Sequence, residues 1–131
     1  MEDNFKIEII SPEKIVYSEN TKIAQIPSYE GDMSILKNHI SIITFLRPGV
    51  VKVKKKDGNF EEFFVQDGTV EFFNDTLVLL SASAQNVKDL SREHLDNLSK
   101  ETQNQLSKED ITDHDRYILN HQLDTIKEIR V

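Results

Sequence analysis

There is no cysteine in this chain and no tryptophan, and only three prolines and four glycines. Without cysteine there can be no disulfide staple, no thiolate zinc site and no cysteine nucleophile. A P-loop or dinucleotide fingerprint needs clustered glycines so that backbone N–H groups can approach a phosphate. Here Gly31, Gly49, Gly58 and Gly68 are never closer than nine residues, which excludes that route. Positive charge is also short: 16 Lys and Arg against 23 Asp and Glu leave a formal charge of -7. Nucleic-acid affinity rests on clustered cations that release counterions, so a nucleic-acid partner is not expected. No apolar run approaches the roughly 20 residues needed to span a bilayer. The start, Met1-Glu2-Asp3-Asn4, is acidic where a secretory leader is basic and apolar. These features predict a soluble chain that reaches a membrane only through partners. Its 131 residues suffice for one domain, or for one domain with a small appendage.

Up to about Ala84 the pattern is one of short strands with turn punctuation, as in a sandwich or barrel. Phe5, Ile7 and Ile9 alternate with Lys6 and Glu8, and Ser11-Pro12-Glu13 turns the chain. Ile15 to Tyr17 and Lys22 to Ile26 read as strands, Pro27 to Asp32 as a broad loop, and Ile42 to Leu46 as a buried run. Arg47-Pro48-Gly49 is a turn in which Pro48 presets φ and Gly49 is free to take a positive one. Asp57-Gly58 marks a hairpin. Phe60 to Val65, Thr69 to Phe73 and Thr76 to Leu80 complete a meander, with Asn74-Asp75 as its last turn. Val70, Phe72, Phe73, Leu77, Val78, Leu79 and Leu80 place apolar groups on both faces of their strands, so a second face, with Val70, Phe72, Phe73, Val78 and Leu80 as its candidates, needs cover, from the chain's own C-terminal part or from a partner.

From Gln85 onward there is no Gly, Pro, Phe or Ala, and the period becomes helical. Ser91 can cap a helix that carries Leu95, Leu98, Thr102 and Leu106 on one face. Thr112 or Asp113 can cap a second with Ile118, Leu119, Gln122, Leu123, Ile126 and Ile129 as its stripe. Two short helices cannot offset their ordering cost alone, so this hairpin must dock or stay mobile. The expected architecture is mainly β plus α: a β-sandwich of about ten strands over residues 1–86, then an antiparallel two-helix hairpin over 87–131.

Glu30, Asp32 and His39 are the one acid and histidine cluster of the β region worth weighing as a site. They lack a nucleophile partner and a second adjacent ligand pair, so neither catalysis nor a metal is expected. An acidic loop tip with a histidine at the same end of a sandwich suits a cationic partner surface instead. His114 and His121 are seven residues apart, about 10 Å along a helix axis and too far to share a metal. They are expected to be solvated.

The order Ser11-Pro12-Glu13, Ile26-Pro27, Glu30-Gly31-Asp32, Ile35-Leu36, His39, Leu46-Arg47-Pro48-Gly49-Val50, Phe64-Val65, Gly68-Thr69-Val70-Glu71-Phe72 and Leu79-Leu80 resembles the epsilon subunit of the bacterial F-type ATP synthase. The likeness covers essentially the whole chain. It implies a non-catalytic, cofactor-free component of the central rotor that links the gamma subunit to the ring of c subunits during proton-driven ATP synthesis. Such a subunit is peripheral, at the cytoplasmic face of the bacterial inner membrane, and its hairpin can reach the catalytic beta subunit. By the resemblance, Asp32 faces the polar loops of the c ring, with Glu30 beside it, and His39 lies at the same end of the sandwich. Ser34, Lys37-Asn38 and Ile40-Ser41 stand where the family usually has Gly, Pro-Gly and Ala-Pro. The helix-start motif by which some members bind ATP is degenerate here, in Leu90-Ser91-Arg92-Glu93-His94-Leu95 or, in the other register, Lys88-Asp89-Leu90-Ser91-Arg92-Glu93. Leu90, Ser91 and His94 are therefore not expected to hold nucleotide. The rival class is a free-standing β module for a small ligand, for which three Tyr and no Trp supply few aromatic platforms.

The hairpin segment from Gln85 carries seven Lys and Arg against ten Asp and Glu, where an inhibitory hairpin of this family is basic enough to face an acidic segment of the beta subunit. Removing residues 87–131 is therefore expected to leave ATP hydrolysis by the assembled enzyme little changed. A large rise in its ATPase rate would contradict this.

Overall fold

In the computed structural model, which describes residues 3–130, ten strands precede two helices. Met1, Glu2 and Val131, at the outer ends of the two expected segments, lie outside the described residues. The strands are β1 Phe5–Ile10, β2 Ile15–Thr21, β3 Ile23–Ser28, β4 Gly31–Leu36, β5 Ile42–Leu46, β6 Gly49–Lys54, β7 Phe60–Val65, β8 Gly68–Phe73, β9 Thr76–Leu80 and β10 Gln85–Asn86. A 3-10 turn, Val87–Asp89, leads to α1, Arg92–Leu106, and α2, Asp113–Glu128.

Hydrogen bonding runs β10-β7-β6-β3-β5-β8-β9-β1-β2, with β4 paired to β3. The path narrows to one residue pair, Ser28 with Leu46, between β3 and β5. There the sheet folds over, so that the inner faces of β1, β3, β4, β6, β7, β8 and β9 enclose one core. Phe5, Ile7, Ile9, Ile26, Ile35, Val51, Val53, Phe63, Phe72, Leu77 and Leu79 fill it, all buried. The fold closes where Thr21 Oγ1 donates to the Lys54 carbonyl at 2.8 Å and the Tyr17 ring meets Phe63 at 4.9 Å. This is the expected sandwich of about ten strands.

The turn chemistry acts as expected at Asn74-Asp75, where φ values of 54° and 59° make the tight connection that matches strand twist. Gly58 likewise takes a positive φ in the β6–β7 turn. Three local expectations need correction. The span Pro27 to Asp32 is not a broad loop: β3 runs through Pro27, Tyr29-Glu30 form the turn, and β4 pairs back with Pro27 opposite Asp32. Gly49 has no positive φ; its value is close approach, since a Cβ there would collide with the Pro27 ring. Val70 and Phe72 do not belong to an outer apolar face, because the β8 pleat turns them into the core at 1% exposure.

The strand covered on both sides is β7. Phe63 and Val65 point into the sandwich, while Phe64, out of phase with them, points outward beside Val50 of β6 and is fully buried. The helices bury it: Phe64 packs with Leu90, Leu95, Ile126 and Ile129, and with half-buried Val50, Val87 and Leu98. Ser91 caps α1 by accepting from the His94 N–H at 3.0 Å, and Thr112 caps α2 by accepting from the Asp115 N–H at 3.0 Å. Between the helices, Gln122 Nε2 donates to Thr102 Oγ1 at 2.8 Å and Thr102 Oγ1 donates to the Leu98 carbonyl, a buried polar pair that fixes their register. Leu90, Ser91 and His94 thus serve as packing residue, cap and capped amide. Arg92 reaches the Ile129 carbonyl at 3.5 Å and pairs with Asp96 at 3.8 Å.

Phe64→Ala is expected to weaken hairpin docking by about 3–5 kcal/mol. Limited proteolysis should then cut within the helices while the sandwich survives. A variant as resistant as the parent chain would place the docking energy elsewhere.

Candidate functional site

Two surfaces stand out, one apolar and one polar. The apolar one is the outer face of β5, β8 and β9. Antiparallel register puts Ile43, Glu71 and Val78 in one row and Phe45, Thr69 and Leu80 in the next, with Phe73 opposite Thr76. Ile43 is 81% exposed, Phe45 66% and Phe73 64%. Leu80 is half exposed and Val78 half-buried. The helices sit on β6 and β7 and leave this face open. Of the residues expected there, Phe73, Val78 and Leu80 lie on it, whereas Val70 and Phe72 are in the core. Ile43 and Phe45 went unnoticed in the sequence because they sat inside what read as a buried run; their every-second-residue spacing was the available signal. At the Leu80 end the face runs into an open groove of about 1050 Å³ lined by Ile10, Pro12, Tyr29, Phe45, His114 and Ile118.

The polar surface gathers at the turn between β5 and β6. Close packing of Gly49 on Pro27 presses this turn against the β3–β4 hairpin, and the Arg47 N–H donates to the Pro27 carbonyl at 2.9 Å. The Arg47 side chain is only 17% exposed. Its Nη1 donates to the Tyr117 hydroxyl at 2.9 Å and lies 3.4 Å from His121 Nε2, and its Nη2 reaches Asp32 Oδ1 at 3.4 Å. The Tyr117 hydroxyl donates to the Tyr29 carbonyl at 2.5 Å, and the Tyr29 hydroxyl bonds His114 Nδ1 at 3.0 Å. Thr125 Oγ1 meets the Pro48 carbonyl at 3.3 Å. His121 is therefore not a solvated helix histidine. Burial, then the neighbouring Arg47 guanidinium, push its pKa below the usual imidazole value, against smaller opposing pulls from Asp124 and Asp32.

The expected trio does not assemble. Glu30, in the β3–β4 turn, and Asp32, near the start of β4, are both exposed, with the Asp32 carboxylate 83% exposed. Such an ion pair with Arg47 contributes at most about 1 kcal/mol. His39 lies past the far end of β4, its ring edge-on to Phe72 and its Nδ1 bonded to the Ile40 carbonyl at 2.8 Å. Asp32 and His39 are thus at opposite ends of the strand. Sequence proximity misled because a six-residue strand at about 3.3 Å per residue carries its ends apart. Among the described residues no group of three or more His, Asp or Glu side chains could hold a metal ion.

Residues 4–87 match the family model for the beta-sandwich domain of the ATP synthase delta/epsilon chain. The chain is 39% identical over 130 residues to the ATP synthase epsilon chain of Pelagibacter ubique, covering 98% of this chain and 99% of that one. It is 38% identical over 97 residues to the epsilon chain of Sinorhizobium fredii, covering 74% and 72%. The chain belongs to the ATP synthase epsilon chain family. Among solved structures, a chain of the Euglena gracilis mitochondrial ATP synthase (OSCP/F1/c-ring) superposes with a TM-score of 0.74 at 16% identity, over 95% of this chain and 78% of that one. A chain of the Tetrahymena thermophila mitochondrial ATP synthase central stalk and c ring gives 0.59 at 16% identity, over 94% and 93%. These two likenesses concern the fold. No helix among the described residues is long and apolar enough to cross a membrane.

Tyr117→Phe keeps the ring and deletes both hydroxyl bonds between α2 and the sandwich. A loss of about 1 kcal/mol in urea unfolding followed by ellipticity is expected. An unmoved midpoint would mean that water replaces both bonds.

Proposed function

We propose that this epsilon-family chain is an accessory, non-catalytic rotor subunit of a proton-translocating ATP synthase, joining the gamma subunit to the c ring. The observation that carries the reading is the uncovered apolar face of β5, β8 and β9. Isolated exposed apolar residues are ordinary, but a register-aligned patch of Ile43, Phe45, Phe73 and Leu80 calls for a protein partner. We assign this face to gamma. His39, beside exposed Ile40 at the Phe73 end, goes with it.

Glu30 and Asp32 are assigned to the c ring, as exposed carboxylates suited to basic loops. A contact of this kind sets orientation more than affinity. Residues 1–86 would form the docking body and 87–131 the mobile or regulatory element, with the beta subunit as a further partner of the helices. Attachment to the membrane is peripheral, through the complex, and the bacterial relatives support the cytoplasmic face of the inner membrane as its place. The open groove at Leu80 is continuous with the apolar face, which favours its use in the same contact over a separate ligand pocket.

Native mass spectrometry of a co-expressed mixture should show a stable one-to-one complex with gamma. Ile43→Asp combined with Phe45→Asp should abolish it, each buried charge costing on the order of 2 kcal/mol or more. A free chain in the first experiment, or an undisturbed complex in the second, would sink the assignment.

A further inference from the structure

The contact between Arg47 and His121 joins two parts of the molecule through groups that tolerate only one protonation state. Arg47 has five donors and no acceptor. Its Nη1 lies 3.4 Å from His121 Nε2, so a favourable contact requires a lone pair on that nitrogen and hence a neutral ring. A proton on Nε2 would remove the acceptor and set two cations against each other where Arg47 is mostly withdrawn from water. The two residues lie on opposite sides of a boundary: Arg47 on the β5–β6 turn, His121 on α2. Protonation therefore acts on docking and leaves the sandwich core untouched.

The charges around His121 come from every element that meets it there. The sandwich contributes Arg47, Asp32 from β4 and Lys52 from β6, while α2 contributes Asp124 and Glu128, all lining one crevice. The phenol of Tyr117 packs edge-on against the His121 ring at 4.6 Å. Asp32 and Asp124 favour the protonated ring, but Asp32 is largely in water and Asp124 is exposed. Burial and Arg47 outweigh them.

We propose that Arg47 and His121 form an acid-released latch, in which proton uptake by His121 loosens the C-terminal hairpin from the β-sandwich. The sign follows from linkage. The docked ring binds its proton less readily than the free ring, whose ordinary value is about 6.5. Docking is then strongest above that value and weakens as pH falls below it towards the docked value. His114→Gln serves as a control for a second α2 histidine that meets the sandwich, its Nδ1 lying 3.0 Å from the Tyr29 hydroxyl. The latch is a property of the isolated chain and does not depend on the rotor assignment.

The test is amide hydrogen exchange on the full chain, corrected for the intrinsic rate, from about pH 8 to about pH 5. Protection of α2 amides relative to those of β7 is expected to fall at least about twofold in the parent chain and in His114→Gln. His121→Gln, which keeps a neutral acceptor, should abolish that relative fall. A parent chain with no relative fall, or a His121→Gln variant that follows the parent, overturns the proposal. Should His121→Gln fail to dock at all, the NMR titration of the His121 ring in the parent chain decides. A midpoint below that of the same ring in denaturant supports the latch, and an equal midpoint overturns it.

Discussion

Phe64 faces outward from the sandwich, and its burial is the constraint from which most of the tertiary arrangement follows. Phe63 and Val65 occupy the inward positions of β7, and the pleat turns the residue between them to the opposite side. A large ring there, next to Val50, makes an apolar patch that water would solvate poorly. The two helices have the complementary problem, since their stripe of Leu and Ile is too small to hold them together alone. Packing one on the other resolves both. The same packing lays α2 along the β5–β6 turn and brings Tyr117, His121 and Thr125 onto Arg47, Tyr29 and Pro48.

That choice of docking face has a second effect. Because the helices cover β6 and β7, the equivalent outer face of β5, β8 and β9 stays bare. The chain presents one apolar face to itself and one outward, with polar turns at the ends of the strands. A body of this kind, belonging to the epsilon chain family, is suited to holding larger parts together. The same geometry makes hairpin docking sensitive to a single proton, through a guanidinium that can accept nothing.

Much of this was legible in the residues. Alternation over Phe5 to Ile9 and over Val51 to Val53, the Asp57-Gly58 and Asn74-Asp75 turns, and the change to a helical period after Ala84 report local preferences that the fold did not override. The caps at Ser91 and Thr112 were readable for the same reason. The β3–β4 hairpin was not, because Pro27 and Gly31 carry turn signals, and only the pairing of Pro27 with Asp32 across the strands shows that they flank a two-residue turn. The trio of Glu30, Asp32 and His39 looked like one cluster because spacing along the chain says nothing about whether a strand intervenes.

The sequence alone determined the division into strands and helices, the absence of thiol or phosphate-loop chemistry, and the family, since each depends on residue identity and short spacing. Which apolar face the helices cover was decided only by tertiary structure, and so was the separation of Asp32 from His39 and the meeting of Arg47 with His121. The reason is physical: strand faces alternate identically whether a helix or water lies beyond them. Contacts between residues more than 70 positions apart arise only once the closed sandwich and the docked hairpin exist together.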